Sequence, residues 1–136
     1  MDGYRHRIMD SLLEKKLQAK GAVLIEGPKW CGKTTTAEEI AASKILLART
    51  DVKNNFKSLL EIDTDAALSG DTPMLIDEWQ TVPKLWDAVR YTVDHRRKMG
   101  QFILTGSAVP DKEAEEEREH SGTGRFAWLT MRPMTL

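Results

Sequence analysis

The sequence predicts an α/β domain: a parallel five-stranded sheet with helices on both faces. Three observations carry that expectation. Short apolar runs recur along the chain, and most are separated by stretches of helical periodicity. The runs are too continuously apolar for strands with one wet face, so they read as strands buried on both sides. The first run is followed at once by a glycine-framed loop and a helix pattern.

Taken in order, residues 4–19 read as an amphipathic helix with Ile8, Met9, Leu12, Leu13 and Leu17 on one broad stripe, ended by Gly21. Ala22-Val23-Leu24-Ile25 is the first strand, leaving into Glu26-Gly27-Pro28. Residues 33–43 look helical, with Ala37, Ile40 and Ala41 on one side. Ile45-Leu46-Leu47-Ala48 is the second apolar run, and residues 56–68 form the next helix. Ser69-Gly70-Asp71-Thr72-Pro73 is a turn cluster before the third run, Met74-Leu75-Ile76. Residues 82–98 carry Leu85, Trp86, Val89 and Val93 at helical spacing, with Pro83 in the first turn. Phe102-Ile103-Leu104 is the fourth strand and Phe126-Ala127-Trp128-Leu129 the fifth. Between them, residues 111–120 are strongly polar and read as a solvated helix or a mobile loop. No internal repeat is present.

Composition narrows the function classes. At 136 residues the chain suits one domain, residues 1–136, with enough length for its own core. With 40% hydrophobic and 30% charged residues, disorder is excluded as the general state. Twenty basic against 21 acidic residues leave a net charge of -1, so the chain lacks the domain-wide positive field that would argue for nucleic acid. A lone cysteine, Cys31, excludes an internal disulfide. No apolar run approaches the roughly 18 residues of a membrane span, and no apolar signal core follows the N-terminus. A cytoplasmic protein with no membrane partner is expected.

The sharpest motif is Gly27-Pro28-Lys29-Trp30-Cys31-Gly32-Lys33-Thr34, a full match to G-x-x-x-x-G-K-[ST], the Walker A pattern. Glycines at its two ends let the backbone wrap so that several N–H groups point at a phosphate chain. The helix starting near Lys33 adds its positive dipole end. Lys33 would reach the β- and γ-phosphates, and Thr34 would offer its hydroxyl to Mg²⁺. The bland alternative, a glycine turn with an exposed lysine, fits poorly with a strand before and a helix after.

Met74-Leu75-Ile76-Asp77-Glu78, an apolar strand ending in two acids, is the Walker B arrangement. It is weak alone and gains force from the Walker A upstream. Asp77 would hold Mg²⁺ through water, and Glu78 would accept a proton from the water attacking the γ-phosphate. In P-loop ATPases of the additional-strand class the sheet order is 5-1-4-3-2, so the fourth strand lies between the two Walker strands. Its polar end, Thr105-Gly106-Ser107, would then face the γ-phosphate, with Ser107 the first choice of sensor and Thr105 the second. Gly122-Thr123-Gly124-Arg125 sets an arginine on a glycine-rich turn before a strand. Arg125 is either an arginine finger, in its own subunit or a neighbour's, or an ordinary surface arginine.

Other residues read more plainly. Cys31 is a small filler of the loop. His95-Arg96-Arg97-Lys98 suits a helix C-terminus better than a nucleic-acid contact. Trp79, Trp86 and Trp128 are expected to be packing residues, and Trp30 is expected near the nucleotide base. His6, His95 and His120 make no zinc pattern.

With GPKWCGKTTTA, LIDEWQ and ILTGSA all read, and HSGTGRF and MRPMTL after them, the chain resembles one family over nearly its whole length. It is similar to the AAA-type ATP-binding domain of a large bacterial and archaeal family whose members carry a C-terminal domain of unknown function. The resemblance implies an additional-strand ATPase using ATP and Mg²⁺. It implies phosphate contacts from Gly27 through Thr35 (Pro28, Lys29, Trp30, Cys31, Gly32, Lys33 and Thr34 between them), Thr34 and Asp77 for Mg²⁺, and Glu78 as acid/base. Arg125 matches that family's glycine-flanked arginine. Family members continue through a lid into the C-terminal domain, whereas this chain stops at Leu136, so a fragment, a truncated gene or a single-domain piece is expected.

The leading functional expectation is Mg-dependent hydrolysis of ATP to ADP and phosphate, driving a conformational change, with self-association or a protein partner. The alternatives are a nucleotide-switched binding module, DNA-associated or not, and a small-molecule P-loop kinase. The kinase is disfavoured by the Asp77-Glu78 pair and the lack of an arginine-rich lid. A GTPase is disfavoured because no Asn-Lys-x-Asp segment occurs.

Overall fold

The structure, a computed structural model, describes residues 2–27, 33–106 and 126–130, with the side chains of 2–9, 33–35, 128 and 130 excepted. Its elements follow in order: α1 (Asp2–Ala19), β1 (Ala22–Glu26), α2 (Lys33–Ile40), β2 (Ser43–Leu46), α3 (Thr50–Ile62), α4 (Thr64–Ala67), β3 (Met74–Asp77), a 3₁₀ turn (Trp79–Thr81), α5 (Lys84–Arg96), β4 (Phe102–Gly106) and β5 (Phe126–Thr130). The strands form one sheet in the order β2-β3-β4-β1-β5. Every pairing is parallel. This is the expected 5-1-4-3-2 order read from the other edge.

Strand alternation sends successive side chains to opposite faces, and each face meets its own helices. Ala22, Leu24, Met74, Ile76, Phe102 and Leu104 enter one apolar layer with Phe56 and Leu60 of α3 and Leu85, Trp86, Val89 and Val93 of α5. Val23, Ile25, Leu75 and Ile103 enter the other with Leu13 and Leu17 of α1 and Ala37 of α2. Burial on both sides explains why these strands read as unbroken apolar runs. The α1 stripe is narrower than its pattern suggests: Leu13 and Leu17 are buried, while Leu12 is exposed.

Several boundaries differ from expectation: the helix expected over 33–43 ends at Ile40, since Ser43 already opens the second strand, and the one expected over 82–98 is Lys84–Arg96. The second strand is Ser43–Leu46 instead of 45–48, and Leu47 is buried just beyond it, its N–H donating to Asp77 O at 3.1 Å. Leu47 therefore serves the core from a turn, which made the apolar run look shifted. The helix expected at 56–68 begins at Thr50 and breaks at Asp63. Asp63 is extended (φ -151°, ψ 94°), and its side chain accepts from Ala66 N at 3.2 Å, so it caps a new short helix, α4.

The lower end of the sheet, where the strands begin, is tied by backbone bonds. Gly21 O accepts from Gln101 N at 2.7 Å and from Phe102 N at 3.3 Å, and Gly100 N donates to Lys20 O at 3.0 Å. α5 stops at Arg97, left-handed at φ 54°, whose N–H returns to Val93 O. Arg96 donates through Nη2 to Leu68 O at 3.0 Å, and its guanidinium lies 5.8 Å from the Phe102 ring centre. The basic cluster at 95–98 thus supplies a structural clasp at a helix end. Among the described residues no helix is long and apolar enough to cross a membrane.

Candidate functional site

The upper ends of β1, β3 and β4 bring Gly27, Asp77, Glu78 and Thr105 to one edge of the sheet. β1 leads into Gly27, whose N–H donates to Gly106 O at 3.3 Å, tying the start of the glycine loop to the end of β4. α2 begins at Lys33, so the strand–loop–helix frame required by the Walker A pattern is present. Pro28, Lys29, Trp30, Cys31 and Gly32 lie outside the described residues, as do the side chains of Lys33, Thr34 and Thr35.

β4 separates β1 from β3, and the register places Asp77 directly opposite Thr105, which is in turn opposite Ile25. Neighbours across parallel strands on one face are close enough to bond, and these two do. Thr105 Oγ1 donates to Asp77 Oδ1 at 2.6 Å, with both residues buried. A charged acceptor makes this one of the stronger kinds of hydrogen bond. Thr105, the second choice of sensor, therefore spends its proton on Asp77. Ser107, the first choice, lies outside the described residues.

Glu78 follows in a left-handed conformation (φ 58°, ψ 46°). A non-glycine residue is uncommon there, and such outliers concentrate at functional turns. The turn is fixed from behind: Glu78 O accepts from Thr81 N at 3.1 Å and from Thr81 Oγ1 at 2.9 Å. The carboxylate is fixed from the side, where Gln80 Nε2 donates to Glu78 Oε2. Trp79 is buried in the core, 5.4 Å from the Trp86 ring, which stacks on Phe126 at 4.1 Å. Trp79 and Trp86 thus pack as expected, while the Trp128 side chain lies outside the described residues.

Asp77 and Thr105 were both legible by position at strand ends. No spacing rule marks Gln80, although it sits in the LIDEWQ segment. Arg125 lies outside the described residues, yet its neighbour Phe126 pairs with Ala22 at the lower end of β1, remote from Gly27.

Among the described residues no group of three or more His, Cys, Asp or Glu side chains gathers to hold a metal. Mg²⁺ beside a triphosphate needs no such group, because it keeps several waters and takes one or two protein oxygens. Asp77 supplies a buried carboxylate of the right hardness, steadied by Thr105.

A parallel sheet in this order, with a phosphate-loop sequence after β1 and paired acids after β3, defines a P-loop nucleoside-triphosphatase domain. Residues 19–136 match the family model described as an AAA domain, and the chain belongs to that family. It is 33% identical over 100 residues to the uncharacterized proteins Rv2008c of Mycobacterium tuberculosis and Mb2031c of Mycobacterium bovis. The match takes in 73% of this chain and 22% of each relative, so the chain spans about a fifth of their length. Among solved structures it is similar to C. elegans PCH-2, with a TM-score of 0.50 and 15% identity, covering 96% of this chain and 42% of that one. That likeness speaks for the fold alone.

Proposed function

We propose that residues 1–136 form a single ATP-binding domain that takes Mg·ATP across the upper ends of β1, β3 and β4 and hydrolyses it to ADP and phosphate. The single observation that carries this reading is the placement of β4 between the two Walker strands, which brings Asp77, Glu78 and the Gly27 loop to one edge.

In this reading the backbone N–H groups of 29–35 cradle the phosphates, and Lys33 lies against the β- and γ-phosphates, while the Gly27 N–H stays on Gly106 O. Thr34 and Asp77 hold Mg²⁺, which when bound neutralises charge on the triphosphate. Glu78 takes a proton from water as the water oxygen bonds to Pγ. The bond from Pγ to the β,γ-bridging oxygen breaks, leaving ADP and phosphate. Ser107 hydrogen-bonds the attacking water. Arg125 stabilises the charge leaving Pγ, and the position of Phe126 favours action on a neighbour's nucleotide: five residues of β5 span about 13 Å away from the Gly27 end. Self-association follows from that role. A reducing cytoplasm suits the loop cysteine.

The test is equilibrium binding of Mg·ATP, with Lys33→Ala as control and GTP as competitor. Binding that Lys33→Ala abolishes and GTP does not compete away is expected, and Glu78→Gln should keep binding while losing turnover. Parental binding by Lys33→Ala would sink the reading.

A further inference from the structure

The side chain of Gln80 is held between two structures of the site. Its Nε2 donates to Glu78 Oε2, and its Oε1 is buried with no hydrogen-bond partner among the described residues. The orientation follows from charge: a carboxylate accepts only, so the amide must turn its N–H₂ toward Glu78 and its oxygen away. What lies on the oxygen side is the end of β4. A methyl group added at Gly106 would stand 2.6 Å from Gln80 Oε1 and 3.0 Å from Trp79 Nε1. Gly106 thus leaves the room that the amide occupies.

An acceptor buried without a partner among the described residues adds little stability, because its lost hydration offsets the bond the nitrogen makes. What the amide does give is a fixed carboxylate. Glu78 already has its backbone locked in the left-handed region by Thr81. The bond from Gln80 to Oε2 then fixes the side chain.

We infer that Gln80 is a positioning residue for ATP hydrolysis: its amide holds Glu78 in the geometry that receives the proton of the attacking water, and Gly106 is required for the amide to fit. This rests on the hydrolytic reading above. Orientation of a reacting group to within a fraction of an ångström is worth large factors in rate, so loosening it lowers kcat and spares nucleotide binding.

Gln80→Met keeps the length of the side chain and removes the donor. On the full chain we expect kcat to fall about tenfold or more, with KM for Mg·ATP and the thermal midpoint close to the parent. In a Glu78→Gln background the same substitution should leave the residual single-turnover rate unchanged, because Gln80 acts only through Glu78. Gly106→Ala should lower kcat in the same way, since the amide end can swing aside without unfolding the core. A side-chain readout stands independently of turnover: the Gln80 amide protons should exchange slowly by NMR compared with those of exposed Gln18, and lose that protection in Glu78→Ala. Parental kcat in Gln80→Met, a raised kcat, or Gln80 amide protons exchanging as fast as those of Gln18 would each overturn the proposal. Parental turnover in Glu78→Gln would instead overturn the hydrolytic reading beneath it.

Discussion

The same strands, β1, β3 and β4, are finished in different ways at their two ends. Below, the finish is backbone. Gly21 O receives two N–H groups from the start of β4, Met74 N donates to Gln101 O at 2.9 Å, and Gly100 turns at φ 64° to reach Lys20 O. Gly21 also lets α5 lie close, since a Cβ there would meet Val93 Cγ1 at 2.2 Å. Above, the finish is side chain: Thr105 on Asp77, Gln80 on Glu78, and a left-handed acid between β3 and its 3₁₀ turn. The lower end is held chiefly by backbone N–H groups on fixed backbone carbonyls, with Gln101 Nε2 and Arg96 Nη2 adding bonds to Lys98 O and Leu68 O, which is how a fold is held, although Gln101 Oε1 stays buried with no partner among the described residues. The upper end collects acids whose side chains are held in place by neutral neighbours, which is how a site is held. Damage below should therefore be read in stability, and damage above in chemistry.

Asp77→Asn is the largest way to break that division. The variant keeps the shape and an oxygen for Thr105 to bond, and loses only the charge. Hydrolysis of Mg·ATP should fall about 100-fold or more, some 2.7 kcal/mol of barrier, while the thermal midpoint moves little. Steady-state turnover beside a melting curve checks it. Parental turnover would mean that the upper end does not work through its buried carboxylate.

Gly21→Ala is the matching blow below. The new methyl group runs into a β-branched side chain with few rotamers, at a seam between a strand start and a helix. A loss of about 2 kcal/mol is expected from overpacking. It should show as a lower urea midpoint with an unchanged slope, and Mg·ATP affinity should stay parental while the chain is folded. Val93→Ala in the same chain should recover part of the loss, a non-additivity expected only of residues in contact. A Gly21→Ala chain of parental stability but weakened nucleotide binding would reverse the assignment of the two ends.

The frame was legible in the sequence because it rests on long-range regularity. Continuous apolar runs ending in Gly27 and in Asp77-Glu78 require strands buried on both faces with their chemistry at one edge, and the sheet order follows from the class. What escaped was local and side-chain borne. Nothing in the string DEWQ tells that Glu78 turns left-handed or that Gln80 reaches back two residues, because the turn is closed by Thr81 beyond the string and the amide needs the room left by Gly106 of another strand. Asp63 was missed for the opposite reason: a capping residue inside an amphipathic stretch was swallowed by the helical period around it. Leu47 misled by being buried from a turn, where periodicity assigns burial to a strand.

Thr105→Val is the smallest effect expected and the sharpest division between the ends, because Thr105 belongs to both descriptions. It is fully buried in β4, as a core residue would be, and it bonds Asp77, as a site residue would. Valine matches its shape and removes the hydroxyl. The lost bond to a buried carboxylate should cost about 1.5 kcal/mol of stability and lower turnover roughly tenfold by letting Asp77 reorient. Thr105→Ser separates the two roles: it keeps the donor and loses a methyl group worth about 0.8 kcal/mol. Serine should therefore lose some stability with near-parental turnover, whereas valine loses turnover as well. If both variants melt early and hydrolyse ATP at the parental rate, Thr105 belongs to the core alone, and the upper end begins at Asp77.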